Sequence, residues 1–269
     1  MPLQTKYIWT TFTDPKGYDK VIKEMAGISD LDEIPIINYI RNFSKPVVVV
    51  SLGIGTGREL RWLNKIKNVS GIIGIDYSEP MLKFCGKHAT KYKKRITLLK
   101  DDILNPVESK KKLLKIKKPI IYVCLHNTLG NFSPTERKIA LRKVKNLLKE
   151  EDRLILCLYK ILEKSVIDAF NLPPSLHVKS EKEKLKLAQL LEYPFLPQFW
   201  NPIIKKFQQL PRFWYDEKEN DVAIYAGNKK VFISHRFSEE EIKKLAQIAK
   251  LKIEKLIEGK FMYVVMLKV

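Results

Sequence analysis

Cysteine is scarce in this chain. Cys85, Cys124 and Cys157 are the three in 269 residues, and their separations match no metal-ligand spacing. Two of them fall inside predicted buried strands, where a thiol serves as a small apolar side chain. Long hydrophobic runs are missing too. The longest, near Val47 and near Ile120, are far too short to span a bilayer. The opening MPLQTKYIWT lacks a signal-peptide layout, so the expected location is the cytoplasm, with no membrane partner. Negative charge is also in short supply: 50 Lys and Arg stand against 30 Asp and Glu, a formal net charge of +20.

That excess admits two accounts. Blocks such as Lys110 to Lys112 and Lys115 to Lys118 offer a patch for the phosphates of RNA. Alternatively, the lysines are solvated helix faces interspersed with glutamate, as in EKEKLKLAQLLE and EEEIKKLAQIAK, a pattern common in thermophiles. Length and a hydrophobic content of 45% predict one large α/β domain with a sizeable core and an inserted subdomain.

The stretch VVVVSLGIGTGREL, Val47 to Leu60, organises the rest. Consecutive β-branched residues predict a strand buried on both faces. Gly53, Gly55 and Gly57 then force a tight turn in which a ligand can approach peptide N–H groups. The spacing is G-x-G-x-G; Arg58 breaks the G-x-G-x-x-G of dinucleotide-binding dehydrogenases. The next apolar run ends at Asp76, about 20 positions beyond the glycines, where an acid accepts ribose hydroxyls. The same carboxylate also suits the N-terminus of the helix that follows, before Ser78 and Pro80.

GIGTGR, then IGIDYSEPML, then LLKDDIL, resembles the series of cofactor motifs in class I S-adenosylmethionine-dependent methyltransferases. The resemblance covers about residues 45–160 and resumes near 236. It implies that Gly53, Gly55 and Gly57 lie under the methionine part, Asp76 at the ribose, Tyr77 and Met81 on the adenine side, and Asp102 with Ile103 beside the adenine amino group. Ser51 stands where the family usually carries Asp or Glu; its hydroxyl can bond the methionine amino group but supplies no charge.

Regular alternation of strands and helices as far as Tyr159 predicts parallel strands with ligands at their carboxyl ends. The fourth strand leads into CLHNTLGNFSP, so Leu125 and His126 leave the sheet where the sulfonium methyl would lie, with Asn127 behind. The segment resembles methyltransferases acting on small molecules. His126 either orients or deprotonates an acceptor, or hydrogen-bonds a carbonyl in the turn. Tyr18 is a lid candidate, or an ordinary packing tyrosine. No N/D-P-P-Y/F follows the fourth strand, which argues against enzymes of the adenine exocyclic amine. Nor does the loop hold a Cys nucleophile for cytosine C5.

Ser133 with Glu136, and Ser238 with Glu241, predict capping boxes. The expected architecture is a seven-stranded, mostly parallel Rossmann-like sheet with helices on both faces and a helical and hairpin insertion after the fifth strand. Residues 1–45 form N-terminal helices or a lid, 46–160 and 236–269 the cofactor-binding core, and 161–235 an inserted substrate cap. Aromatics of the insertion, among them Phe170, Tyr193, Trp200 and Trp214, either line a closed pocket or make the insertion's own core. The expected function is methyl transfer from S-adenosylmethionine to N or O of a small molecule. The alternatives are a tRNA or rRNA methyltransferase using the lysine surface, and a protein that binds the cofactor or RNA without turnover.

Overall fold

The computed structural model describes residues 15–16, 26–161, 211–226, 229–259 and 261–269. Tyr18, the helix expected at 18–25 and the insertion's helices with Phe170, Tyr193 and Trp200 lie outside the described residues.

A seven-stranded sheet forms the centre. Its strands are β1 (Val47–Leu52), β2 (Val69–Asp76), β3 (Ile96–Lys100), β4 (Ile120–Cys124), β5 (Arg153–Tyr159), β9 (Lys252–Glu258) and β10 (Met262–Lys268). Their spatial order is β3-β2-β1-β4-β5-β10-β9. β1 pairs in parallel with β2 and β4, while β10 runs antiparallel between β5 and β9. The expected seven-stranded sheet with a closing antiparallel pair is therefore present. The order reverses at β1, so the loops after β1 and β4 diverge and leave a crevice at the carboxyl edge.

Period-two alternation on a doubly covered sheet explains the apolar runs. Tyr122 and Cys124 pack into one core cluster with Val50, whereas Ile121 and Val123 pack into the other with Val47 and Val49. Val47, Val49 and Val50 are fully buried, each contributing about 1.5–3 kcal/mol of transfer free energy. Helices α1 (Ala26–Arg41), α2 (Leu60–Leu63), α3 (Glu79–Ala89), α4 (Val107–Leu113), α5 (Pro134–Lys145) and α6 (Glu239–Ile248) complete the described core. All three cysteines are buried and free. No helix among the described residues is long and apolar enough to cross a membrane.

Local differences from expectation have local causes. Helices α2 and α4 are short because the chain tightens after them: Ile66 N–H reaches Leu63 O and Ile116 N–H reaches Leu113 O, three residues back. The capping box at α5 is complete. At α6 only half of it forms: Ser238 accepts from Glu241 N–H, but the Glu241 carboxylate turns instead to His235. The expected hairpin gains a third strand. β6 (Pro211–Asp216), β7 (Asp221–Ala226) and β8 (Lys229–His235) form an antiparallel sheet, β6-β7-β8. Proline at the start of β6 and the polar run DEKEN obscured it in sequence.

Candidate functional site

The loop after β1 is held open by backbone geometry. Gly53, Gly55 and Gly57 all have positive φ, at 76°, 53° and 82°. A Cβ at Gly53 would collide with Thr128, which comes from the loop after β4. A Cβ at Gly55 would meet nothing within 4 Å, so this peptide borders open space at the crevice.

Asp76 ties this loop to β2. Its Oδ2 accepts from Gly55 N–H at 2.7 Å, and its Oδ1 accepts from Ser78 N–H at 2.8 Å. The reading of Asp76 as a carboxylate at the start of α3 is realised in its bond to Ser78 N–H, and the same side chain braces the glycine loop. Each oxygen keeps a further lone pair, and the residue is only half-buried, so it can accept from a ligand's donors. Burial of the carboxyl raises its pKa, opposed by the N–H donors of Ser78 and Gly55.

Beneath the loop lies an acid that the sequence reading passed over. Ser51 alternates onto the α2 side of β1, and its hydroxyl donates to the carboxylate of Glu59 in the first turn after the glycines. Glu59 is 3% exposed, and burial pushes its pKa up to about 7 despite the Ser51 hydrogen bond. The signal was present: a glutamate one turn past the glycines, leading the apolar run Leu60, Trp62, Leu63 that faces the core. The Thr56 hydroxyl in the same loop is also buried and, among the described residues, has no hydrogen-bond partner.

Of the residues expected on the adenine side, Tyr77 is exposed and Met81 is buried in the first turn of α3. Asp102 and Ile103 sit half-buried in the turn after β3, where Asp102 Oδ1 accepts from Leu104 N–H. Asp101, the preceding residue, is spent on Ser109 in α4, leaving Asp102 as the carboxylate beside the turn.

At the end of β4, Leu125 is buried and His126 and Asn127 both adopt left-handed backbone, with φ of 50° and 58°. The Arg58 guanidinium faces the His126 ring, with Nη2 2.8 Å from each ring nitrogen. Burial, then the charges of Arg58 and Arg61, hold the His126 pKa well below the usual value, so the ring is neutral at physiological pH. Asn127 is fully engaged. Its Nδ2 donates to Ser234 Oγ and His235 O at 3.1 and 3.0 Å, and its Oδ1 accepts from Tyr159 N–H at 3.0 Å. It therefore joins the β4 loop, the end of β5 and the end of β8. The structure brings His126 to the glycine loop, and turns Asn127 away to anchor the three-stranded sheet.

That anchor continues inward. His235 lies between Asp221 and Glu241, with Nδ1 2.7 Å from Asp221 Oδ1 and Nε2 2.8 Å from Glu241 Oε2. Arg137 of α5, 2% exposed, bridges the same two carboxylates at 3.6 Å and lies over the Phe237 ring.

Comparisons with known proteins bear on the fold. Residues 49–151 match the family model of a methyltransferase domain. No curated protein sequence matches the chain. Among solved structures, an S-adenosylmethionine-dependent methyltransferase from Anabaena variabilis is 14% identical, with a TM-score of 0.59 over 100% of this chain and 97% of that one. A similar methyltransferase from Clostridium acetobutylicum is 15% identical, with a TM-score of 0.51 over 88% and 89%. A magnesium protoporphyrin IX methyltransferase from Synechocystis, solved with bound S-adenosylhomocysteine, is 12% identical, with a TM-score of 0.51 over 94% and 92%. The chain thus has the Rossmann-like fold of these methyltransferases, and residues 49–151 are similar to a methyltransferase domain.

Proposed function

We propose that the protein transfers a methyl group from S-adenosylmethionine to a nitrogen or oxygen of a small molecule. The observation that carries the cofactor assignment is the Gly55–Asp76 bond, which sets an acceptor-rich carboxylate beside an open glycine peptide at the reversal of strand order. The residues fit the group. Asp76 has lone pairs for the ribose, Gly55 leaves room for it, and the Glu59–Ser51 pair supplies beneath the loop the negative charge that Ser51 alone lacks.

When bound, the cofactor supplies a methyl carbon on a positively charged sulfur. The chain's part is to position and to exclude water. His126 flanks the acceptor side as a neutral imidazole that can orient an acceptor; burial and the Arg58 charge make it a weak base, so the proton that the acceptor nitrogen or oxygen releases as its lone pair attacks the methyl carbon passes to solvent. Asn127 acts as a positioning residue, holding the His126 backbone against β5 and β8.

Two features support a compact acceptor over RNA. The three-stranded sheet docks on the turn after β4 and walls that side of the crevice. The carboxylates that border the crevice, Asp76 and Asp102, also disfavour a polyanion there, although Glu79 and Glu258 at the same edge are paired with Lys83, Lys100 and Lys160. The inserted residues 161–235 act as a cap in this reading, and residues 1–45 as a lid bearing Tyr18.

Calorimetry with S-adenosylmethionine and S-adenosylhomocysteine tests the donor: both bind, and Asp76→Ala weakens both by about tenfold or more. Incubation of the protein with tritium-methyl cofactor and fractionated cell extract tests the acceptor, with label expected in the small-molecule fraction. Absence of cofactor binding sinks the first assignment; label confined to RNA sinks the second.

A further inference from the structure

Charge is divided between the two edges of the central sheet. Each strand that enters from the amino edge is preceded by, or starts with, an exposed cation: Arg95 before β3, Lys67 before β2, Lys45 before β1, Lys118 before β4, Lys149 before β5 and Lys252 at β9. Read in spatial order, these lie along one edge of the sheet, which β10 reaches with its own Lys268 and where the β5 entry also carries Glu150, Glu151 and Asp152. At about 4.8 Å per strand the row spans roughly 30 Å. The same strands leave through the carboxyl edge described above.

Ion pairing does not account for the row. Glu–Lys pairs spaced along helices are present, as Lys83–Glu79 and Lys243–Glu239. Lys45 has Glu151 as a partner. Among the described residues, however, no carboxylate lies within ion-pair distance of Lys67, Arg95, Lys118 or Lys252. Beside Lys67, a groove is lined by Arg41, Lys65, Lys67 and Asn68. Like charges without an ionic partner at the entries of β2, β3, β4 and β9 cost self-repulsion, which a bound polyanion removes.

We propose that the amino edge of the sheet binds the phosphate backbone of duplex RNA, on the side opposite the cofactor loop. The concave basic groove takes a ridge of phosphates, which a plane of lipid headgroups would touch only at its rims. Single-strand binding relies on aromatic platforms for base stacking, and none of the described strand-entry loops at this edge carries an exposed aromatic ring. B-form DNA is read by an element inserted in its major groove; this edge presents short loops instead, which suit the wide, shallow groove and flanking phosphates of A-form RNA. The RNA here is a docking partner and not the methyl acceptor, because the sheet separates the two edges.

The test is fluorescence anisotropy on the full chain with a labelled RNA duplex, the same strand alone, a B-form DNA duplex of equal length, and phosphatidylserine vesicles by co-sedimentation. Duplex RNA binds best, and its affinity falls by about a thousandfold between 50 and 200 mM salt. The triple variant Lys67→Glu, Arg95→Glu, Lys118→Glu loses about tenfold or more at low salt and has a shallower salt slope, with its circular dichroism melt and S-adenosylhomocysteine affinity unchanged. Equal binding by the triple variant, or preference for single-stranded RNA, DNA or vesicles, overturns the proposal. It is independent of the methyltransferase reading: failure to bind S-adenosylhomocysteine, with RNA still bound through the row, would remove that reading alone.

Discussion

Ser51 and Glu59 are joined hydroxyl to carboxylate beneath the glycine loop, so the strand position that lacks an acid borrows one from the following turn. Burial holds the Glu59 carboxyl up to about 7. A cation bound against it favours the ionised form, so S-adenosylmethionine binding releases a proton near neutral pH. Calorimetry in buffers of different ionisation enthalpy measures this release directly. Affinity should rise as pH increases through about 7, and Glu59→Gln should abolish both the release and the pH slope while weakening binding by about tenfold. Stability runs the other way. The folded pKa lies above the ordinary 4.5, so the unliganded protein loses stability as pH rises from 4.5 to about 7, and Glu59→Gln flattens that fall.

Gly55 separates backbone strain from ligand contact. Its φ of 53° penalises any side chain by about 1–2 kcal/mol, yet an added Cβ meets no protein atom within 4 Å. Gly55→Ala should lower stability by only that amount in urea unfolding, while reducing cofactor affinity by a larger factor because the methyl occupies the open side of the loop. Gly53→Ala, whose Cβ would meet Thr128 at 2.7 Å, should cost more stability than Gly55→Ala.

Sequence patterning carried the central sheet because its inner strands β1, β4, β5 and β10 are apolar on both faces, and it carried the glycine loop because three alternate glycines are followed by an acid about 20 positions on. It did not reveal Glu59, since a lone glutamate at a helix start reads as an ordinary first-turn acid. Nor did it reveal the Arg137, Asp221, His235, Glu241 cluster. Those residues come from α5, β7, β8 and α6, and only tertiary folding brings them together. Asn127 was visible as a residue near the methyl, but its orientation depends on Ser234 and His235, more than a hundred positions away.

Asn127 anchors the three-stranded sheet through bonds that no smaller side chain reproduces. Asn127→Ala leaves Tyr159 N–H without its acceptor and places alanine at positive φ. A loss of about 2–4 kcal/mol is expected in denaturant unfolding. Hydrogen exchange should show the greatest loss of protection at β8 and at the turn after β4, with β1 and β2 little changed.

His126 should stay neutral through the physiological range. Burial and the Arg58 and Arg61 charges lower its pKa well below 6.5. In a 13C-labelled histidine spectrum, its Cε1 resonance should show no titration between about pH 6 and 8. Arg58→Met should move its midpoint upward by removing the nearer charge, whereas a titration centred near 6.5 in the unmodified protein would contradict this arrangement.

His235 predicts a pH dependence of opposite origin. Burial opposes its protonation, but hydrogen bonds to Asp221 and Glu241 outweigh burial and the repulsion of Arg137, raising its pKa above 6.5. Asp221 moves the other way: despite burial, His235 and then Arg137 and Lys230 lower its pKa below 3.8. The histidine contribution is complete below 6.5 and is lost as pH rises through the folded value. The aspartate contribution is complete above 3.8 and is lost as pH falls through its lowered value. Together they are strongest between about pH 4 and 6.5. With His235 neutral, two carboxylates face the buried Arg137 and the peripheral Lys230 alone, and the contact between the three-stranded sheet and α6 weakens. Thermal melts should therefore fall on the alkaline side, and His235→Gln should lower the melting temperature at pH 6 while removing most of that alkaline decline. A melting curve for His235→Gln that retains the full slope would assign the decline to groups outside this clamp.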